Sequence, residues 1–110
     1  GLSTLESMCV GKPILVTKTG GLTRQVIDPD TLEIHGIALN PDLTTTVGTQ
    51  DVPYLNEDYT SNTKVAKSLY NFYSLPIEEK TSLGKKAKIY AENNFNYQEM
   101  ISKWVSSLEL

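Results

Sequence analysis

The chain has one cysteine, one histidine, one tryptophan and two methionines among its 110 residues. A single thiol, Cys9, excludes an internal disulfide and is compatible with a reducing compartment, so a cytoplasmic location is the expectation. No cluster of histidine, cysteine and acidic residues has ligand spacing, so no metal and no cofactor are expected. No apolar run approaches the ~20 residues of a membrane span, and no signal-peptide pattern is present. Cations are missing from a long stretch. Between Arg24 and Lys64 there is no Lys or Arg, while Asp28, Asp30, Glu33, Asp42, Asp51, Glu57 and Asp58 all fall there. The net charge of −3 argues against a nucleic-acid binder. The acidic stretch reads as a solvated loop, and the later group of Lys80, Lys85, Lys86 and Lys88 as a solvated helix face.

A hydrophobic content of 39% with 21% charged residues is ordinary for one small globular domain. The first helix signal begins at Gly1 with no initiator Met and no preceding strand. The expectation is therefore a portion of a longer chain. Leu2, Leu5, Met8 and Cys9 recur at helical spacing, and Gly11 reads as the left-handed residue that ends the helix, with Pro13 beyond. Ile14-Leu15-Val16 is a short continuous apolar run, as in a parallel strand covered on both faces. Thr19-Gly20-Gly21 is a turn, Leu22 to Ile27 a short helix, and Gly36-Ile37-Ala38-Leu39 a second strand. From Asn40 to Tyr59 no period holds, and Pro41, Gly48 and Pro53 punctuate an unusually long loop. Three helices follow, with stripes Val65, Leu69, Phe72, Tyr73; Leu83, Ala87, Tyr90, Ala91; and Met100, Ile101, Trp104, Val105, Leu108. Pro76 suits the first turn of the second, and Asn96 with Glu99 has capping-box spacing at the third. Gly84 costs about 1 kcal/mol inside a helix, which close packing against a neighbour would explain. The fold class is α/β, with short parallel strands, covering helices and a helical C-terminal end.

A helix opening after Gly1-Leu2-Ser3 presents free backbone N–H groups that attract anions. Glu6 lies within its first turns, and Gly20-Gly21 form a tight turn after the strand. Together they suit a phosphorylated ligand bearing hydroxyls, such as a nucleotide sugar. Simpler roles exist for the same residues. Ser3 and Glu6 also have capping-box spacing. Gly20-Gly21 could be a turn alone. Cys9 reads as a small core residue, His35 as a loop or strand-edge residue, and Arg24 as solvated. The aromatic stripes read as core or lobe interface.

The run Gly1-Leu2 through Leu5-Glu6-Ser7-Met8-Cys9-Val10-Gly11-Lys12-Pro13-Ile14-Leu15-Val16 resembles a segment of retaining GT-B glycosyltransferases of the group 1 type. Thr19-Gly20-Gly21-Leu22 is similar to the glycine turn that follows in that family, worded as in glycogen synthases. His35-Gly36-Ile37-Ala38-Leu39 resembles the next strand. Leu83-Gly84-Lys85-Lys86-Ala87 and Asn94-Phe95-Asn96-Tyr97 resemble the closing helices. The likeness spans nearly the whole chain except Asp42 to Tyr59. It implies the latter half of a Rossmann-like donor-binding C-terminal lobe: a motif region over 1–40, an atypical insertion over 41–59 and three closing helices over 60–110. It also implies a nucleotide-sugar donor bound by Gly1, Leu2, Ser3, Glu6, Gly20 and Gly21. The helix-start amides would contact the diphosphate and Glu6 the ribose. Glu6 falls at the second Glu of the family's paired signature; the first would precede Gly1. No catalytic residue is assigned, no metal is implied, and the acceptor-binding N-terminal lobe is the implied partner. These 110 residues alone are expected to transfer no sugar. Two other readings stand beside it. One is a nucleotide-sugar 2-epimerase of the same architecture, against which Thr19 to Arg24 departs from the expected Arg- and Glu-bearing motif. The other is a non-catalytic interaction module derived from a donor lobe. In the family the terminal helix crosses toward the N-terminal lobe. Trp104 is therefore expected to be less buried than Leu69 or Leu83, on helices that pack within the domain.

Overall fold

A computed structural model describes residues 1–108; positions 109 and 110 of the expected closing segment lie outside the described residues. Helix α1 (Leu2–Cys9) ends as its sequence dictates. Gly11 takes φ +73°, its N–H donates to the Met8 carbonyl at 2.9 Å, and the Lys12 N–H donates to that of Ser7 at 2.9 Å. This is the paired hydrogen bonding of a left-handed glycine terminus.

Strand β1 (Leu15–Thr17), helix α2 (Gly20–Val26) and strand β2 (Ile37–Leu39) form a parallel β-α-β unit. The register sets Leu15 beside Ile37 and Thr17 beside Leu39. Two further bonds lengthen the ladder: Ile37 N–H to the Ile14 carbonyl and Lys18 N–H to that of Leu39, both 2.8 Å. Glycine is needed at 36 because a Cβ there would stand 2.7 Å from Ile14 Cγ1 and 2.8 Å from the Ile14 carbonyl oxygen.

The segment expected to be an aperiodic loop is instead a β-hairpin. Strands β3 (Leu43–Val47) and β4 (Leu55–Tyr59) pair antiparallel, Leu43 beside Tyr59 and Val47 beside Leu55. Polar cross-strand pairs hold one face: the Thr44 hydroxyl donates to Asp58, and that of Thr46 to Asn56 at 3.1 Å. Thr-rich strands form readily here because the β-branched backbone preference is met and both faces meet water.

Helices α3 (Asn62–Tyr73), α4 (Ile77–Asn94) and α5 (Tyr97–Ser107) follow. Asn96 caps α5, accepting from the Glu99 N–H at 3.1 Å, while the Glu99 carboxylate pairs with Lys103 instead of closing the capping box. The three do not form a common cover. Only α4 closes the core, where Ala87, Tyr90 and Ala91 meet Met8, Ile14 and Val26, flanked by Leu5, Val16, Ile27, Ala38 and Phe95. Helix α4 crosses α1 in the opposite sense. Its Gly84 lies on Gly11 at the end of α1, and its C-terminal Asn94 and Phe95 lie beside Leu2 and Leu5 at the start. Helices α3 and α5 bury no residue. The radius of gyration is 16.7 Å, against about 13 Å for a compact chain of this length.

Several expected core positions are corrected. Leu2 is 77% exposed and Cys9 is exposed, because α4 covers the face of α1 that carries Leu5 and Met8. Leu69 is 53% exposed, so the α3 stripe is not packed within the domain. Trp104, at 60%, is more exposed still, as expected of it.

Candidate functional site

Parallel strands place their carboxyl ends on one edge, where the loops that follow are free to hold a ligand. Here that edge carries Gly20 and Gly21, which follow β1 after Lys18 and Thr19 and are not the expected turn but the first two residues of α2, with Thr19 as its N-cap. The Thr19 N–H returns to the Thr17 carbonyl at 2.9 Å, and the Leu22 N–H to that of Thr19 at 3.1 Å. Gly20 has φ +48°, a conformation open to glycine at least cost. A Cβ added at either glycine would meet nothing within 4 Å, so the start of α2 is open on its outer side.

A polar lattice that sequence spacing does not reveal lies on the same edge. The hydroxyls of Thr17 and Thr60 are 2.9 Å apart. Lys64 donates to the Asn40 carbonyl at 2.6 Å and pairs with Asp42 at 2.7 Å. The other Asp42 oxygen accepts the Ser61 N–H at 2.8 Å. The bond from Lys64, with those from Ser61, lowers the Asp42 carboxyl to about 2. This lattice ties the hairpin and the start of α3 to the ends of β1 and β2. Its members are up to 43 residues apart in sequence, so no local motif announces them.

The start of α1 holds the other predicted residues. Gly1 is the N-cap and no side chain caps the helix. The expected capping box of Ser3 and Glu6 is therefore not formed. Ser3 is already the second helical residue, so its hydroxyl cannot take the place of an N-cap acceptor. The first-turn amides of Leu2, Ser3 and Thr4 have no intrahelical acceptor. Glu6 is exposed and enters none of the ion pairs among the described residues. No hydrogen bond among those described joins this helix start to Gly20 and Gly21; each group stands on its own element.

His35, expected at a loop or strand edge, precedes β2 but is only 7% exposed. Its ring stacks on Tyr90 at 4.1 Å and 8°. The Tyr90 hydroxyl donates to the Arg24 carbonyl at 2.5 Å, and lies 3.4 Å from that of Ile27, at the end of α2. Arg24 is exposed, as expected.

An apolar groove of about 580 Å³ lies between the start of α1 and α5. Leu2, Leu5, Phe95, Met100 and Trp104 line it, with Lys103 at the side. It adjoins the predicted helix start, and its polar lining includes the Glu99–Lys103 ion pair.

No family model, no curated protein and no solved structure matches this chain.

Proposed function

We propose that the chain is the donor-binding portion of a GT-B glycosyltransferase that moves a sugar from a nucleotide-sugar donor to an acceptor, with retention. The observation that carries this reading is the unobstructed glycine start of α2, Gly20-Gly21, at the carboxyl end of β1 in a parallel β-α-β unit. The sequence resemblance adds the uncapped start of α1. In this reading the amides of Gly1, Leu2 and Ser3 hold the donor diphosphate, where fixed N–H dipoles stabilise the negative charge that grows as the sugar leaves. Glu6 accepts hydrogen bonds from ribose hydroxyls and fixes the register of the donor. Gly20 and Gly21 let the backbone approach the ligand without a Cβ in the way.

The β-α-β unit would then belong to a Rossmann-like lobe, and the groove beside α1 and α5 would receive the acceptor-binding lobe. A cytoplasmic location and a metal-independent reaction belong to the same reading. In this reading the second lobe supplies the acceptor site, so turnover requires it.

Calorimetric titration of the chain with UDP-, ADP- and GDP-sugars tests the reading. Binding of one donor class is expected, weakened by about 1–3 kcal/mol in Glu6→Gln through loss of hydrogen bonds to a charged acceptor. Absence of binding across the panel, or equal affinity of the variant, overturns the assignment of Glu6. Sugar transfer by the 110 residues alone would overturn the division of labour between lobes.

A further inference from the structure

His35 is the only histidine of the chain, and neither of its ring nitrogens has a hydrogen-bond partner among the described residues. One face of the ring lies flat on Tyr90 of α4, and the residue sits in the turn that leads into β2. The charged groups acting on it are Glu33 and Asp28 on that turn and Lys86 on α4, while Arg24 and Asp30 act on the Tyr90 ring beneath it. The nearby carboxylates bond elsewhere rather than to the ring. Asp28 Oδ1 takes the Asp30 N–H at 2.8 Å, and Glu33 pairs with Lys86 at 2.9 Å.

We infer that His35 is an acid-sensitive latch: as a neutral ring it closes α4 over the turn before β2, and on gaining a second ring proton it leaves the stack and loosens that closure. An imidazolium has two N–H donors and must hydrogen-bond or hydrate both. In the closed form both nitrogens are shut off from solvent with no partner among the described residues, and burying an unpaired charge is costly. Burial accordingly lowers the His35 pKa; Glu33 and Asp28 oppose this, and Lys86 adds to it. The sign follows. Below about 6.5 the open or unfolded chain takes up the proton while the closed form refuses it. Closure therefore weakens as pH falls through that value, down to the lower pKa of the closed form, by up to tenfold per pH unit. Loosening reaches the core because the same helix carries Ala87 and Ala91 against Met8.

The single histidine makes the test direct. NMR titration of its ring in the full chain is expected to give a midpoint below the ordinary histidine value. Amide exchange, corrected for its intrinsic pH dependence, is followed at Asp28 and His35. These amides donate to Glu33 and Val26 across the turn. Exchange there should accelerate between pH 7 and 5 relative to Lys18 and Ile37 in the β1–β2 ladder. His35→Phe keeps an aromatic stack without a titrating group and should flatten that acceleration. A midpoint at or above the ordinary value, or the same exchange profile in His35→Phe, overturns the latch. If His35→Phe does not fold, the wild-type midpoint and exchange profile decide the matter alone.

Discussion

Gly84 of α4 rests against the backbone carbonyl of Gly11, the residue that ends α1. A Cβ built at 84 would overlap that oxygen and come within 3.4 Å of Pro13 Cδ. The oxygen belongs to backbone, so it cannot swing aside as a side chain would.

Gly84→Ala should therefore destabilise the protein although alanine is the better helix former. Alanine gains about 1 kcal/mol in helix propensity. Overpacking a rigid contact costs about 1–3 kcal/mol. The propensity gain is present in any helix, so the net loss reports the contact with Gly11. Urea denaturation of wild type and variant measures it. A net stabilisation would mean that α4 does not approach α1 this closely in solution.

Much of this arrangement was legible in the sequence, and its failures have physical causes. Gly11, Asn96 and the two apolar runs at 14–16 and 36–39 act through near neighbours, so local chemistry sufficed. Gly84 announced close packing, though not its partner 73 positions away. The hairpin was missed because Thr44, Thr46, Asn56 and Asp58 face water, which removes the apolar alternation that marks a half-buried strand. The β-branched run Thr44-Thr45-Thr46-Val47 was the remaining signal, and turn residues on either side masked it. Apolar spacing alone could not distinguish α3, with no buried residue, from α4, which carries the core. Periodicity reports that a helix has an apolar face, not what covers it. The candidate glycines were legible from the resemblance. The Asp42–Lys64 lattice and the His35–Tyr90 stack were not, since each joins distant segments.

The Asp42–Lys64 pair gives a pH prediction in a lower window than that of His35, with loss on acidification in both. The Asp42 carboxyl titrates near 2 in the folded chain, against about 3.9 when free. A depressed carboxyl contributes stability that is present above the free value and lost as pH falls toward the folded one. Anchorage of the hairpin to α3 should thus persist at pH 5, where the histidine latch has loosened, and fail between about pH 4 and 2. Carbon-detected NMR of the Asp42 carboxyl checks the midpoint. Lys64→Met should move it upward, because the lysine bond is the largest cause of the depression. An unchanged midpoint in Lys64→Met would assign the depression to Ser61.

Trp104 offers the cleanest contrast between an apolar residue that supports the fold and one that waits on its surface. It is 60% exposed and lines the groove beside Leu2 and Met100, on a helix with no buried residue. Replacing it should change unfolding free energy by no more than about 0.5 kcal/mol, the usual range for a surface substitution. Its surroundings still have a consequence. Leu2, Leu5, Phe95 and Met100 line the same groove, so the apolar surface around Trp104 is contiguous rather than scattered. A patch of this kind favours association. Trp104→Glu should lower any concentration-dependent sedimentation of the chain while leaving its urea midpoint near that of wild type. Being the only tryptophan, the wild-type residue also reports its own environment: emission should be that of a hydrated indole in dilute solution and shift to the blue as concentration rises. A blue emission at all concentrations, with a large loss of stability in Trp104→Glu, would place α5 against the core of its own chain.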